Sequence, residues 1–167
     1  AERNLYMLFQ HELNDSYLVF YNVRWLSHRE QKRTGSEADF VIVHPDKGVL
    51  VLEVKGGQIH YDPQTKYWTS RDRSGVAHRI NNPVERVRNN TLILLDSVKK
   101  FLQAQNIENY ALLLFRPVGY AVAFPANTID KHTLESVIAP EIVLDKADLP
   151  QIRQWIEQAM GYWHRPY

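Results

Sequence analysis

The chain has 167 residues, of which 44% are hydrophobic and 23% are charged, a composition typical of one globular domain with a substantial core. Twenty basic residues against 19 acidic ones give a net charge of +1, so the overall charge does not indicate a polyanionic partner. The absence of cysteine excludes disulfides and thiolate metal sites, and no apolar run approaches the length of a membrane span.

The first predicted elements are a helix and a strand. Apolar side chains recur at helical spacing over residues 2–13, and an Asn-Asp-Ser sequence then ends the helix. Residues 17–25 are rich in valine, phenylalanine and tyrosine, and therefore predict a strand. A polar, basic loop is expected over residues 27–35.

Two apolar runs, residues 37–44 and 49–55, predict a pair of neighbouring strands. The segment "PDKG" that joins them has the residues of a tight turn, because proline presets its φ angle and glycine tolerates a positive one. The two strands are therefore predicted to form an antiparallel hairpin. Two glycines follow it and let the chain turn away.

The rest of the chain is predicted to alternate between strands and helices. A smaller hairpin is expected from residues 58–61 and 66–70, with a charged loop over residues 71–79. A long helix begins at Asn82-Pro83 and runs to about residue 105, strands follow at 118–124 and 142–144, and the last helix covers 149–160. This order predicts an α/β fold in which helices flank a central mixed sheet.

Charged residues lie inside the apolar strands of the first hairpin. Glu53 and Lys55 project to one face of their strand, since side chains alternate along a strand. Glu37 and Asp39 share a face of the partner strand. A tight turn brings Asp39 close to Glu53, so two carboxylates and a lysine are expected to converge at one end of the sheet.

Converging carboxylates repel one another, and one must protonate, pair with a base or share a cation. An all-oxygen site made by such acids suits Mg²⁺ or Mn²⁺. A lysine beside it can assist a metal-bound water or stabilise negative charge, as phosphodiester hydrolysis requires. The alternative is a structural ion-pair cluster, in which removing an acid strands a buried charge and destabilises the fold. The residues alone leave both alternatives open.

The split motif formed by Asp39 and Glu53-Val54-Lys55 resembles the signature of the PD-(D/E)xK nuclease superfamily. More narrowly, "GSEADFVIVHPDKGVLVLEVKGG", "INNPVERVRNN" and "VGYAVAFP" are similar to landmarks of the NERD, or nuclease-related, domain, and the similarity covers about residues 1–150. The resemblance implies a restriction-endonuclease-like core and metal-dependent cleavage of DNA.

The resemblance also implies a role for each residue of the motif. Asp39 is expected to be the central metal ligand, and Glu53 the second, helped by the backbone carbonyl of Val54. Lys55 is expected to be the catalytic lysine that orients or activates the attacking water. Glu2, on the first helix, matches the acid of the family that contacts the metal through water.

Two further features of the site have alternative interpretations. Glu37 is expected to be either an added metal ligand or an acid that does not touch the metal. Arg86 stands near a position where the family often carries glutamine, with Arg88 beside it. Such an arginine either contacts a DNA phosphate or pairs with an acid and weakens metal binding.

Basic side chains near the site are candidates for binding DNA phosphates. The candidates are Lys32, Arg33, Arg71, Arg73, Arg79, Arg86 and Arg88. The tryptophans are interpreted as core residues, with Tyr67-Trp68 in the small hairpin as the exception that could stack on bases.

The resulting prediction is a Mg²⁺- or Mn²⁺-dependent DNA endonuclease or nickase formed by residues 1–160. Residues 161–167 are expected to be a tail or the start of a linker, because the chain starts and ends abruptly, like a fragment of a longer protein. The partners implied are DNA and a fused helicase or other DNA-processing domain, in the cytoplasm and without a membrane. The rival is an inactive nuclease-like module that docks DNA or a partner protein.

Overall fold

The structure is a computed structural model that describes residues 1–26, 35–107 and 116–164. The described part of the chain forms two β-sheets, three α-helices and short 3-10 turns. The elements are α1 (Glu2–Glu12), β1 (Leu18–Leu26), β2 (Gly35–His44), β3 (Gly48–Val54), β4 (Gln58–Asp62), β5 (Tyr67–Arg71), β6 (Ala77–Ile80), α2 (Pro83–Ala104), β7 (Val118–Phe124), β8 (Val143–Asp145) and α3 (Ile152–Trp163). The 3-10 turns are Lys131–Leu134, Pro140–Ile142 and Lys146–Gln151.

The larger sheet has five strands in the order β1-β2-β3-β7-β8. β3 lies at its centre, antiparallel to β2 and parallel to β7, and nearly all its side chains are buried. A central strand covered on both faces needs apolar side chains, which explains the sequence VLVLEV except at Glu53. The predicted α/β fold with a mixed sheet flanked by helices is confirmed, and it is consistent with a restriction-endonuclease-like core.

The helices cover the two faces of the larger sheet. α2 packs against β2, β3 and β7 on one face, while α1 packs on the other, where Phe9 meets Phe40 edge to face at 5.1 Å. α3 packs beside α1 and runs to Trp163, past the predicted end of the last helix at residue 160. The Trp163 ring lies where a side chain on Gly119 would be. No helix in these described ranges combines the length and apolar character that a bilayer span requires.

The predicted hairpin of β2 and β3 is confirmed, with Val41 opposite Val51 and His44 opposite Gly48. Gly48 has a φ of +93°, and a Cβ there would lie 2.2 Å from the backbone oxygen of Pro117. Only glycine meets both conditions, so this residue sets how the turn closes. The geometry of the turn then fixes which residues of β2 and β3 face each other.

The smaller sheet contains one strand more than predicted. The hairpin of β4 and β5 forms as expected, but β6 lies within the segment expected to be a charged loop over residues 71–79. The strand was missed because Ala77, His78 and Arg79 are all exposed, so no alternation of apolar side chains marks it. Arg71 and Arg79 therefore lie on strands rather than in a loop.

Trp68 is a core residue of the smaller sheet. Its side chain is only 2% exposed and stacks on Phe124 with ring centres 5.8 Å apart, joining the two sheets. The suggestion that Trp68 could stack on bases is therefore wrong, because no base can reach the ring. Its neighbour Tyr67 points the other way and is exposed.

Candidate active site

Asp39 and Glu53 lie opposite each other at the open end of the hairpin. The regular pairing of β2 and β3 stops at Phe40 and Leu52, and the next pair in the same register is Asp39 with Glu53. Here Asp39 Oδ2 accepts a hydrogen bond of 2.6 Å from the backbone N–H of Val54. The structure thus brings together the two carboxylates on which the sequence motif depends.

The sheet is also interrupted on the other side of Asp39. The register of β1 with β2 sets Asn22 opposite Asp39, but the pairing passes from Tyr21 directly to Val23. Asn22 has a φ of +52°, in the left-handed region that asparagine tolerates better than most residues. Asp39 therefore lies at a point where both neighbouring strands have left the regular ladder, and this is where a side chain can reach a ligand.

Glu53 is a buried carboxylate with cations on one oxygen. Its side chain is 2% exposed, because β3 is the central strand of the sheet. Lys55 Nζ lies 2.6 Å from Oε1, and Arg86 Nε lies 3.2 Å from the same atom. Oε1 nevertheless has no partner with the alignment of a hydrogen bond. The oxygen has nearby positive charge but no directed donor.

Glu37 is paired with arginines from two different elements. Arg86 Nη2 donates to Glu37 Oε1 at 2.5 Å, and Arg24 Nε lies 3.7 Å from Oε2. Asn90, one helical turn after Arg86, donates to the Glu37 backbone oxygen at 2.7 Å. Of the two alternatives for Glu37, these contacts favour an acid that does not touch a metal over an added metal ligand. They also agree with the second alternative for Arg86, pairing with acids.

Glu2 approaches the same end of the sheet from α1. Its Oε2 accepts a hydrogen bond of 3.2 Å from the hydroxyl of Tyr21, and its charge is close enough to help raise the pKa of Asp39. Sequence reasoning missed Tyr21, as it missed Arg24 and Asn90. The signal that would have found Tyr21 is the register of β1 on β2, which hydrophobic patterns do not give.

Asp39 resists ionisation in this environment. Burial raises the pKa of its carboxyl to about 6, and the negative charges of Glu53 and Glu2 act in the same direction. The hydrogen bond from Val54 and the charge of Lys55 oppose the rise without cancelling it. An ionised Asp39 is therefore unfavourable in the absence of a further cation, both because it is desolvated and because Glu53 and Glu2 repel it.

The donor set fits a hard divalent cation that keeps part of its water. Asp39 and Glu53 offer carboxylate oxygens, one of them buried and without an aligned donor. Within residues 1–26, 35–107 and 116–164, no group of three or more His, Asp or Glu side chains is arranged to hold a metal. Two carboxylates are enough for Mg²⁺, which usually retains several waters. The carbonyl of Val54 as a further ligand stays a prediction.

The described members of the predicted DNA-binding set lie on β5, β6 and α2 and in one turn. Arg71 and Arg79 lie on β5 and β6, Arg73 lies in the turn between them, and Arg88 is exposed on α2. Arg86 is occupied by the two glutamates. Lys32 and Arg33 lie outside the described residues.

Comparison with known proteins adds one finding. A family model described as NERD, nuclease-related domain, matches residues 1–125 of the chain. No curated protein and no solved structure matches the chain. The matched range runs from α1 to the end of β7, so it includes every residue of the cluster around Asp39 and Glu53.

Proposed function

Since the chain belongs to the NERD family of nuclease-related domains, as its sequence motifs predicted, we propose that it is a metal-dependent deoxyribonuclease. The observation that carries the proposal is the buried carboxylate of Glu53, held beside a second carboxylate that resists ionisation. Placing two acids this way is costly for a fold without a cation. Phosphodiester hydrolysis is a reaction that uses this combination with a lysine.

Asp39 and Glu53 would hold Mg²⁺ or Mn²⁺ in this mechanism. When bound, the ion would supply positive charge beside the phosphate and would make water a better nucleophile. The chain supplies the positioning: the N–H of Val54 fixes the Asp39 carboxylate, and the central strand fixes Glu53. Glu2, held by Tyr21, would accept a hydrogen bond from water at the edge of the site.

Lys55 would orient the attacking water and stabilise charge on the phosphate. Its ammonium lies at 2.6 Å from Glu53 and is about a quarter exposed, so it faces both the carboxylate and the approach to the site. An ammonium has three donors, and contact with one carboxylate oxygen leaves donors for water and a phosphate oxygen. The role is that of a general acid–base or electrostatic group rather than a nucleophile.

The proposal is tested by cleavage of supercoiled plasmid and of an end-labelled single strand, each with Mg²⁺, Mn²⁺ or EDTA. Cutting that requires metal and disappears in Glu53→Gln is the expected result. Cutting that persists in EDTA contradicts the proposal, as does cutting unaffected by Glu53→Gln. The partners that we propose are DNA as the substrate and a fused helicase or other DNA-processing domain.

The contact between Arg86 and Glu53 favours one second candidate, an inactive module that docks DNA or a partner protein. In such a module the guanidinium replaces the metal permanently. Calorimetry with Mn²⁺ separates the two functions, because a docking module has no need to bind metal. Binding supports the nuclease, and its absence supports the docking module.

Replacing Arg86 with glutamine is expected to raise the affinity for Mn²⁺ about three- to fivefold, because it removes a positive charge 3.2 Å from a proposed ligand oxygen. Glutamine removes the charge and keeps a polar side chain of helix-forming character at this position. The measurement is calorimetric titration with Mn²⁺ in the absence of DNA. Arg88→Gln, an exposed position on the same helix, is the matched control. Equal affinity in the wild type and Arg86→Gln contradicts the competition between arginine and metal.

A further inference from the structure

The smaller sheet presents one buried and one open face. Ile59, Tyr61 and Trp68 point inward and are buried against the rest of the domain. Side chains alternate along a strand, so the residues between them point outward. We call this the outer face, and it consists of Gln58, His60, Asp62, Tyr67, Thr69, Arg71, Ala77 and Arg79.

The outer face combines positive charge with an exposed stacking surface. The guanidinium of Arg79 lies over the ring of Tyr67 at 3.5 Å, and Tyr67 is 46% exposed. Arg71 stands opposite Gln58 on the neighbouring strand. Asp62 is the acidic residue of β4, β5 and β6. Its carboxylate accepts hydrogen bonds from the backbone N–H of Gln64 and the hydroxyl of Thr65, in the turn that follows β4. The net charge of the face is therefore positive.

An open cleft runs along this face. It has a volume of about 490 Å³ and lies between the strands and the segment Ala126 to Thr128. Hydrogen-bonding side chains line it, including His60, Arg71 and Asn127. Asn127 Nδ2 donates to the backbone oxygen of Ile59 at 3.0 Å, so the two walls are joined. A cleft of this size can accept a nucleotide.

A short connection joins the candidate active site to the cleft. β3 leads through Gly56 and Gly57 into β4, and Gln58, which lines the cleft, follows Lys55 by only three residues. Three residues span at most about 10 Å, so the Cα atoms of Lys55 and Gln58 lie within that distance of each other. Gly57 has a φ of +79°, and this conformation redirects the chain from the larger sheet to the smaller one.

We propose that the outer face binds a single-stranded nucleic-acid segment next to the scissile phosphate. Arg71 contacts a backbone phosphate, and an unpaired base stacks on the pair formed by Arg79 and Tyr67. Stacking requires a base that is free of its complement, which is why the ligand is a single strand rather than a duplex. The inference rests on the proposed nuclease function, because that function supplies the strand.

The test is fluorescence anisotropy with a labelled single-stranded thymidine oligonucleotide and a duplex, with the wild-type protein in EDTA so that metal-dependent cleavage does not occur. Tyr67→Ala and Arg71→Gln are each expected to weaken single-strand binding about fivefold or more. Arg71→Gln also lowers the dependence of log Kd on log salt by about 0.7, the value for one lost phosphate contact. Arg153→Gln, an exposed arginine on α3, is the control and leaves the affinity unchanged.

Three results overturn the inference. The first is a wild type that does not bind the single strand, the second is binding of the single strand by both variants as tightly as by the wild type, and the third is a duplex that the wild type binds as tightly as the single strand. Because binding is measured without metal, the outcome is separate from that of the cleavage assay. Loss of binding in the variants with no metal-dependent cleavage by the wild type supports the outer face and contradicts the nuclease. Cleavage by the wild type with unchanged binding in the variants gives the reverse conclusion.

Discussion

Replacing Lys55 with methionine is expected to lower metal-dependent DNA cleavage by at least about 100-fold, the usual effect of removing a group that stabilises charge or transfers a proton in the transition state. Methionine keeps most of the side-chain length and removes only the ammonium. Lys55 Nζ lies 2.6 Å from Glu53 Oε1, so the variant also loses one of the two cations beside that carboxylate. Cleavage rates of supercoiled plasmid under saturating Mn²⁺ give the measurement.

The control for Lys55→Met is Lys100→Met, an exposed lysine on α2 that pairs with Asp96 and lies away from the site. Its cleavage rate should equal that of the wild type. Circular dichroism and thermal unfolding establish that Lys55→Met is folded, since Arg86 still neutralises Glu53 in the variant. A folded variant that cuts DNA at the wild-type rate removes Lys55 from the mechanism.

Replacing Asp39 with asparagine is expected to stabilise the metal-free protein near neutral pH. Burial raises the pKa of Asp39 from its ordinary value of 3.8 to about 6, so the folded state holds the proton more tightly than the unfolded state. The stability from this protonation is complete below the unfolded pKa and is lost as the pH rises through about 6. Above that range the wild type carries an unfavourable carboxylate. Asparagine keeps an oxygen that accepts the Val54 N–H.

The expected gain in the free energy of unfolding is about 1–2 kcal/mol at about pH 8, after allowance for solvent screening of a partly exposed group, and a few tenths at about pH 4. Urea unfolding in EDTA at the two pH values gives the measurement. Asp46→Asn, at the exposed turn of the same hairpin, removes the same charge and serves as the control. Destabilisation of several kcal/mol by Asp39→Asn instead supports a structural ion-pair cluster.

The sequence predicted the parts of the site that depend on local rules. The turn before Gly48 and the alternation along two apolar strands were enough to bring Asp39 and Glu53 together, because a hairpin turn fixes its own register. The start of α2 could likewise be predicted from neighbouring residues alone. Asn82 caps the helix by accepting from the N–H groups of Val84 and Glu85, and Pro83 occupies the first turn.

The parts that sequence reasoning missed depend on how distant segments pack. Tyr21 reaches Glu2 only because β1 adds to the edge of β2 in one particular register. Asn90 reaches the backbone of Glu37 only because α2 packs across β2 at one rotation. β6 was missed for a different reason, since its exposed side chains carry no apolar period and its partner on β5 defines it.

The hairpin of β2 and β3 also limits how the length of this segment can change. Deleting one residue between Asp39 and the turn would reverse the side-chain parity of β2 and send the carboxylate into the apolar layer around Phe9 and Phe40. Extra residues inserted within the turn would disturb the packing of Gly48 against Pro117, and with it the pairing of the two strands that the turn sets. The number of residues between Asp39 and Glu53 is therefore limited in both directions, towards a shorter and towards a longer hairpin.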